Sequence, residues 1–249
     1  VALAIHAQAN IVQQDSWWKG RHIRATVRLR NGDHIHIHSL YEPRSHHEDQ
    51  AKFWELFHAK FVAELRLHEH ENNHHHILLG DMNSTLSELD RGFLLHDQES
   101  PDSHHTPPYK AFQEFTDGLL IDSYTHAYTK LKQHSKTIDV NVTERATYVN
   151  ASVWSRIDMI LGTYDIITSA LADFCTADYL SEELHTQHRT TAALFHLNAG
   201  ETTVLAKREI HVANTAAYND QGKREKYQAA VTSLVAQRNL LACNAHRHF

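Results

Sequence analysis

Ile77-Leu78-Leu79-Gly80-Asp81-Met82-Asn83 is the stretch on which the reading of this chain turns. An apolar run stopped by Gly and followed by two polar side chains describes a buried strand that ends in chemistry. Side chains in a strand repeat every two residues, so Asp81 and Asn83 point the same way at its C-terminal mouth. In layered α/β folds, sites collect at such mouths. Hydrolysis of a phosphoric ester needs a group to handle the proton of water and donors to position the phosphoryl oxygens. Asp81 suits the first task and Asn83 the second. A turn in which Asp and Asn bond their own backbone is the plainer alternative.

Upstream, Phe53, Leu56, Phe57, Phe61 and Leu65 recur at spacings of three and four, which predicts a helix. A polar break from Glu69 to His76 separates it from the strand. Ahead of the helix, residues 21 to 43 read as a hairpin: Ile23, Ala25, Val27 and Leu29 alternate with polar neighbours, Asn31-Gly32-Asp33 supplies the turn, and Ile35 and Ile37 resume the alternation. Downstream, Asp97 to Pro108 reads as a loop, and helical spacing returns with Phe112, Phe115 and Leu119. Leu120 to Tyr124 closes that unit, and residues 130 to 146 read as a second loop. Thr147-Tyr148-Val149, Ile157 to Leu161 and Thr191 to Leu197 are strand-like. Strands separated by helices, with a hairpin mixed in, predict a mixed-sheet α/β domain over residues 1 to 198. From Ala199 to Phe249 the expectation is a linker and an amphipathic helix, Tyr218 to Asn239, with Tyr227, Ala230, Val231, Leu234 and Val235 on one face for a partner outside the chain.

Composition narrows the classes. The chain is 41% hydrophobic and 22% charged, with only 8 Gly and 4 Pro, which excludes a disordered or collagen-like polymer. No run reaches the about 18 apolar residues of a membrane span, and no basic-then-apolar leader is present. The start on Val1, inside an apolar run, reads as an excerpt from a longer polypeptide. Cys175 and Cys243 do not make a disulfide framework, and the expectation is a reducing, intracellular compartment. A net charge of −6 argues against tight non-specific DNA affinity. Histidine is over-represented, with 24 residues bunched as His46-His47, His68-Glu69-His70, His74-His75-His76 and His104-His105. A metal-chelating tract is one reading; compositional drift in polar loops is the reading preferred here.

Two further signals accompany the first. In Ser155-Arg156-Ile157-Asp158-Met159-Ile160-Leu161 an Asp is embedded in an apolar strand, where a carboxylate is costly unless paired. Thr186-Gln187-His188, just before the last strand, offers the partner. An Asp–His pair fixes the imidazole tautomer and favours its charged form beside a phosphate.

The ordered set Ser39-Leu40-Tyr41-Glu42-Pro43, Gly80-Asp81-Met82-Asn83, Ser155-Arg156-Ile157-Asp158 and Thr186-Gln187-His188 resembles the endonuclease/exonuclease/phosphatase superfamily. The run from Gly80 through Leu86 to Leu89-Asp90-Arg91, with Thr147-Tyr148 ahead of Ser155, resembles the endonuclease domain of LINE-type, non-LTR retrotransposons. The resemblance spans roughly residues 1 to 197. It implies a DNase I-like fold, two mixed β-sheets packed as a sandwich with flanking helices, with the front strands missing. It also implies magnesium-dependent phosphodiester hydrolysis that nicks target DNA, a covalently linked reverse transcriptase domain downstream, no membrane, and nuclear location, although no basic import run is seen. By the same resemblance, Tyr41 hydrogen-bonds the scissile phosphate, Asp81 transfers the proton, Asn83 orients the phosphate and Thr147 is a further contact. Asp158 orients His188, which steadies charge on the phosphoryl oxygen.

Two departures limit what is expected. The resemblance places a metal-binding Glu, with an Asn before it, on strands ahead of Val1, and Gln187 stands where it has Asp. Magnesium prefers carboxylate and water oxygens, so the expectation is little or no hydrolysis by the chain alone. The alternatives are a catalytically dead fragment or binding module on the same fold, and a phosphatase of the same superfamily. An abasic-site endonuclease is weaker still.

Overall fold

The computed structural model describes residues 3, 5, 9–18, 20–44, 46–68, 70–71, 73–87, 90–93, 107–134, 146–150, 153–177, 187–197 and 209–211. In chain order the elements are β1 (Ile11–Asp15), β2 (His22–Arg28), β3 (His34–Tyr41), α1 (His47–Leu67), β4 (His74–Asp81), β5 (Arg91–Phe93), α2 (Pro107–Thr116), β6 (Ile121–Asp122) and α3 (Ser123–His134). They continue with β7 (Tyr148–Val149), β8 (Val153–Ser155), β9 (Asp158–Gly162), a π-helical turn (Ile166–Ala170), β10 (Leu171–Ala177), β11 (Thr190–Phe195) and β12 (Glu209–His211).

The main sheet has six strands in the order β1-β2-β3-β4-β9-β6. Strands β3 and β4 are parallel, joined by the α1 crossover, and run in register from His34 opposite His74 to Tyr41 opposite Asp81. Strand β9 is antiparallel to β4, with Asp158 opposite Asp81. The hairpin expected over residues 21 to 43 is β2–β3, turned at Gly32 with φ 95°. Gly80 has φ 150°, and a Cβ there would lie 1.9 Å from the Leu40 carbonyl oxygen, so only glycine lets β4 pass β3 at this point.

Both faces of the sheet are covered. Ile35, Ile37, Ile77, Leu79 and Ile160 meet Ile166, Ile167, Leu171, Ala193 and Phe195 on the side of β10 and β11. Leu40, Leu78, Met159 and Leu161 meet Phe53, Trp54, Phe57 and Phe61 of α1 and Phe112 and Phe115 of α2 on the other. Fully burying each such aromatic contributes about 1.5–3 kcal/mol. Trp54 is fully buried, whereas Leu56, counted on the helix face from its spacing, is 44% exposed.

The expected mixed-sheet α/β sandwich with flanking helices is present. Among the described residues the second sheet, β10-β11-β12, is antiparallel in both its pairs, and a small further sheet, β5-β8-β7, lies beside the site. Three local expectations are corrected. First, His74-His75-His76 is not part of a polar break but opens β4, and His22, His36, His38 and His76 are buried under α1. The polar phase of the β2–β3 alternation therefore faces a second core rather than water. Second, α2 begins at Pro107, inside the expected loop, and α3 runs to His134, inside the next. Third, Glu209–His211, inside the stretch read as linker, pairs with β11. Tyr218 to Asn239 lies outside the described residues. Among the described residues, no helix is long and apolar enough to cross a membrane.

Candidate active site

The C-terminal mouths of β3 and β4 and the start of β9 set Tyr41, Asp81 and Asp158 side by side in one row of the sheet. His188 closes the row: its Nδ1 lies 2.9 Å from Asp158 Oδ2. One ligand atom from each of Asp81, Asp158 and His188 falls within 4.8 Å of the others. Four segments distant in sequence thus meet at one place.

Local chemistry explains why they are held there. Asn83 has φ 44°, a left-handed conformation that Asn tolerates better than most residues. Its N–H donates to Asp81 Oδ1 at 2.9 Å, and its Nδ2 donates to the Glu42 carbonyl at 2.9 Å. Glu42 is fully buried, taking bonds from Trp54 Nε1 at 2.7 Å and Ser84 Oγ at 3.0 Å. Burial nevertheless pushes its carboxyl up to about 9. Thr147 lies behind the row. It is 1% exposed, and its Oγ1 accepts from the backbone N–H groups of Ile157 and Asp158 at 3.0 and 2.9 Å. The Thr147 hydroxyl therefore serves the backbone that aims Asp158. The same segment holds His188 from the other side: Arg189 N–H donates to Thr147 O and Val149 N–H to Gln187 O, and the Tyr148 ring meets the imidazole edge-on at 5.0 Å.

Beneath this lies a buried ion-pair frame. Arg156 donates from Nε and Nη2 to Asp90 at 2.8 and 3.1 Å and from Nη1 to Asp122 Oδ1 at 3.0 Å. Burial opposes its charge, but the two carboxylates outweigh that and raise its pKa. Asp90 and Arg156, read from sequence as neighbours of catalytic residues, are thus the tie between two motifs.

The charges are mutually tuned. Burial, then the neighbouring Asp158 carboxylate, push Asp81 up to about 6, against the opposing pull of His188, the Asn83 N–H and Arg44. Burial opposes charging of His188, but the Asp158 hydrogen bond and the charges of Asp158 and Asp81 win, and its pKa is raised. Arg44 escaped the sequence reading. Its Nε lies 3.2 Å from Asn83 Oδ1 and its Nη2 3.3 Å from His188 Nε2. A guanidinium only donates, so His188 Nε2 accepts here and Nδ1 carries the proton to Asp158. Arg21, whose guanidinium lies 5.0 Å over the Tyr41 ring, is a second missed cation. A basic residue directly after Tyr41-Glu42-Pro43 was the available signal for Arg44. For Arg21, 20 residues before Tyr41, there was none.

No family model matches the sequence, and no curated protein matches it. Solved structures do. The catalytic domain of Xenopus laevis APE2 is 20% identical, with 78% of this chain and 57% of that one covered and a TM-score of 0.53. An AP endonuclease from Archaeoglobus fulgidus is 14% identical, with 76% and 72% covered and a TM-score of 0.53. The chain thus spans little more than half of the Xenopus domain. These structural neighbours belong to the endonuclease/exonuclease/phosphatase superfamily, and the chain has their mixed α/β, DNase I-like fold.

Proposed function

We propose that the chain is a divalent-cation-assisted phosphodiesterase that nicks DNA, as the resemblance to LINE-type retrotransposon endonucleases implies. The observation that supports it is the row Tyr41, Asp81 and Asp158 closed by the His188–Asp158 contact of 2.9 Å. Asp81, raised towards neutrality, takes the proton of the attacking water. Asn83 and Tyr41 position the phosphate. Arg44 and His188, which now share Nε2, both turn to the phosphoryl oxygens and place two cations where charge develops. On the same reading a linked reverse transcriptase domain is the partner and the nucleus the place of action.

The donor set accommodates magnesium, though weakly. Asp158 and water oxygens would hold it, with Asp81 left for the proton and Gln187 offering no carboxylate. When bound, the ion offsets phosphate charge and polarises the P–O bond. One carboxylate ligand implies slow turnover and a high magnesium requirement.

Supercoiled plasmid incubated with the purified chain and magnesium tests this. The expected result is slow conversion to relaxed circles, reduced about 10²–10⁴-fold by Asp81→Ala and accelerated by Gln187→Asp. Release of inorganic phosphate from monoesters without nicking selects the phosphatase reading instead. No nicking by either the chain or Gln187→Asp overturns the proposal and leaves a binding scaffold, the reading that Gln187 favours.

A further inference from the structure

We propose that His36, His68 and His74 bind one imidazole-preferring transition-metal cation, zinc above all, which clips the end of α1 to the starts of β3 and β4. The three histidines come from three elements. His36 is on β3, His68 is the residue that caps α1, and His74 opens β4. One ring nitrogen of each lies within 4.8 Å of the other two.

The hydrogen bonds already fix most of the lone pairs. His74 Nε2 lies 2.9 Å from the Glu71 carboxylate, which only accepts, so Nε2 carries the hydrogen and Nδ1 keeps its lone pair. That Nδ1 faces His36 Nε2 at 2.8 Å. His36 Nδ1 lies 2.9 Å from Thr26 Oγ1, a hydroxyl able to donate or accept. When a cation takes His36 Nε2, the proton moves to Nδ1 and is received by Thr26, with no change in net charge. A carboxylate behind one ligand and a hydroxyl behind another are the outer contacts that orient metal-binding imidazoles. His68 Nδ1 is buried with no hydrogen-bond partner among the described residues. Such a group costs free energy, and turning the ring towards an ion relieves it.

The geometry needs a modest adjustment. Zinc–nitrogen bonds of about 2.0–2.1 Å in a tetrahedron place ligand nitrogens about 3.3 Å apart. The His36–His74 pair must open slightly, and His68 must leave its stack on His74, where the centroids lie 3.7 Å apart and the planes 10° apart. His68 has the freedom to turn, since its side chain is 25% exposed just past the helix end. Imidazoles select zinc, copper or nickel over magnesium. Seven strand steps separate His74 from Asp81 on β4, about 23 Å at about 3.3 Å each. The two sites share no ligand, and this one stands whether or not the chain hydrolyses DNA.

The test uses the untagged full chain after EDTA treatment, titrated with zinc by calorimetry and with cobalt by visible absorption. One tight equivalent is expected, with a rise in Tm and the absorption of tetrahedral cobalt. His68→Asn, at a partly exposed position that does not carry the fold, lowers the affinity at least 100-fold. Glu71→Gln lowers it about 10-fold. A His46→Asn, His47→Asn double variant binds as the parent does, and excess magnesium does not compete. Unchanged affinity in His68→Asn, or the absence of stoichiometric zinc binding by the parent chain, overturns the proposal.

Discussion

Strands β3 and β4 lie parallel and in register, and their two ends carry opposite chemistry. From the start to the middle of the strands His36, His76 and His38 stack beneath Phe57 and Phe61, and His22, opposite Leu40 on β2, continues the row through its hydrogen bond to His38. At the end stand Asp81 and, across β9, Asp158. Burial acts on both ends and pushes each group towards its uncharged form. It lowers His22 to about 3, His36 to about 2 and His76 to about 3, and it raises Asp81 to about 6. The difference lies in what opposes it. At the histidine end the nearby charges of Arg24 and the other rings reinforce the neutral form. At the aspartate end His188 and Arg44 pull against burial and leave Asp81 poised near neutrality. One end is locked and the other is balanced.

The histidine stack has a direction. The Trp17 backbone N–H donates to His22 Nδ1 at 2.9 Å, so His22 Nε2 carries the hydrogen and gives it to His38 Nδ1 at 3.1 Å. His38 Nε2 then donates to His76 Nδ1 at 3.1 Å, and the hydrogen on His76 Nε2 is left buried without a partner among the described residues. An added proton breaks this order.

The largest expected effect follows. His22, His36, His38 and His76 have folded-state pKa values below the unfolded value of 6.5, so they stay neutral in the fold while the unfolded chain takes up protons. Their stabilisation is complete above pH 6.5 and is lost as pH falls below it. At pH 5 His22, His36 and His76 each cost about 2 kcal/mol, together roughly 6, comparable with the whole stability of a domain, and His38 acts in the same direction. Urea melts in EDTA should show a steep loss between pH 6.5 and 5. A flat profile would mean that the rings are already charged, and the contrast between the two ends would fail.

Next in size is Arg156→Met. It leaves Asp90 and Asp122 buried without their cation and should cost about 3–5 kcal/mol in urea melts. The companion Arg156→Lys keeps a charge but not the fork and should recover only part. Below it stands Thr147→Val, which deprives the Ile157 and Asp158 N–H groups of their acceptor and should cost about 2–4 kcal/mol. Thr147→Ser should restore both stability and nicking rate. A loss of nicking rate in Thr147→Val without loss of stability would place the Thr147 hydroxyl at the substrate instead.

The legibility of these two ends in the sequence is unequal, for a physical reason. Gly80-Asp81-Met82-Asn83 could be read because the ordered Asp158 and His188 motifs point to the same mouth, although Asp81 Oδ1 also accepts the Asn83 N–H, as in the turn weighed against it. The histidines read as loop in the sequence because a period of two separates the faces of a strand without saying what covers each face. Here α1 lays Phe57 and Phe61 over the polar phase. Asp90 and Arg156, 66 residues apart, could not be paired from sequence because nothing local records a long-range ion pair. Arg44 sat in plain view beside a recognised motif, but its reach to Asn83 and His188 depends on how the chain leaves β3.

The smallest stability effect has the most informative sign. Asp81 titrates at about 6 in the fold against an ordinary value near 4, so above pH 6 its ionised form is better solvated in the unfolded chain, and the residue costs stability. Asp81→Asn keeps an acceptor for the Asn83 N–H and removes the buried charge beside Asp158. It should raise stability at pH 7.5 by about 1–3 kcal/mol, with the gain shrinking as pH falls through 6 and vanishing near 4. The same variant should lose nicking by about 10²–10⁴-fold, as expected of a group removed from proton transfer. A residue that weakens the fold while it supports the reaction is kept for its chemistry. If Asp81→Asn instead lowers stability at pH 7.5, the carboxylate is acting as a structural anchor, and the balance claimed for this end of the strands is absent.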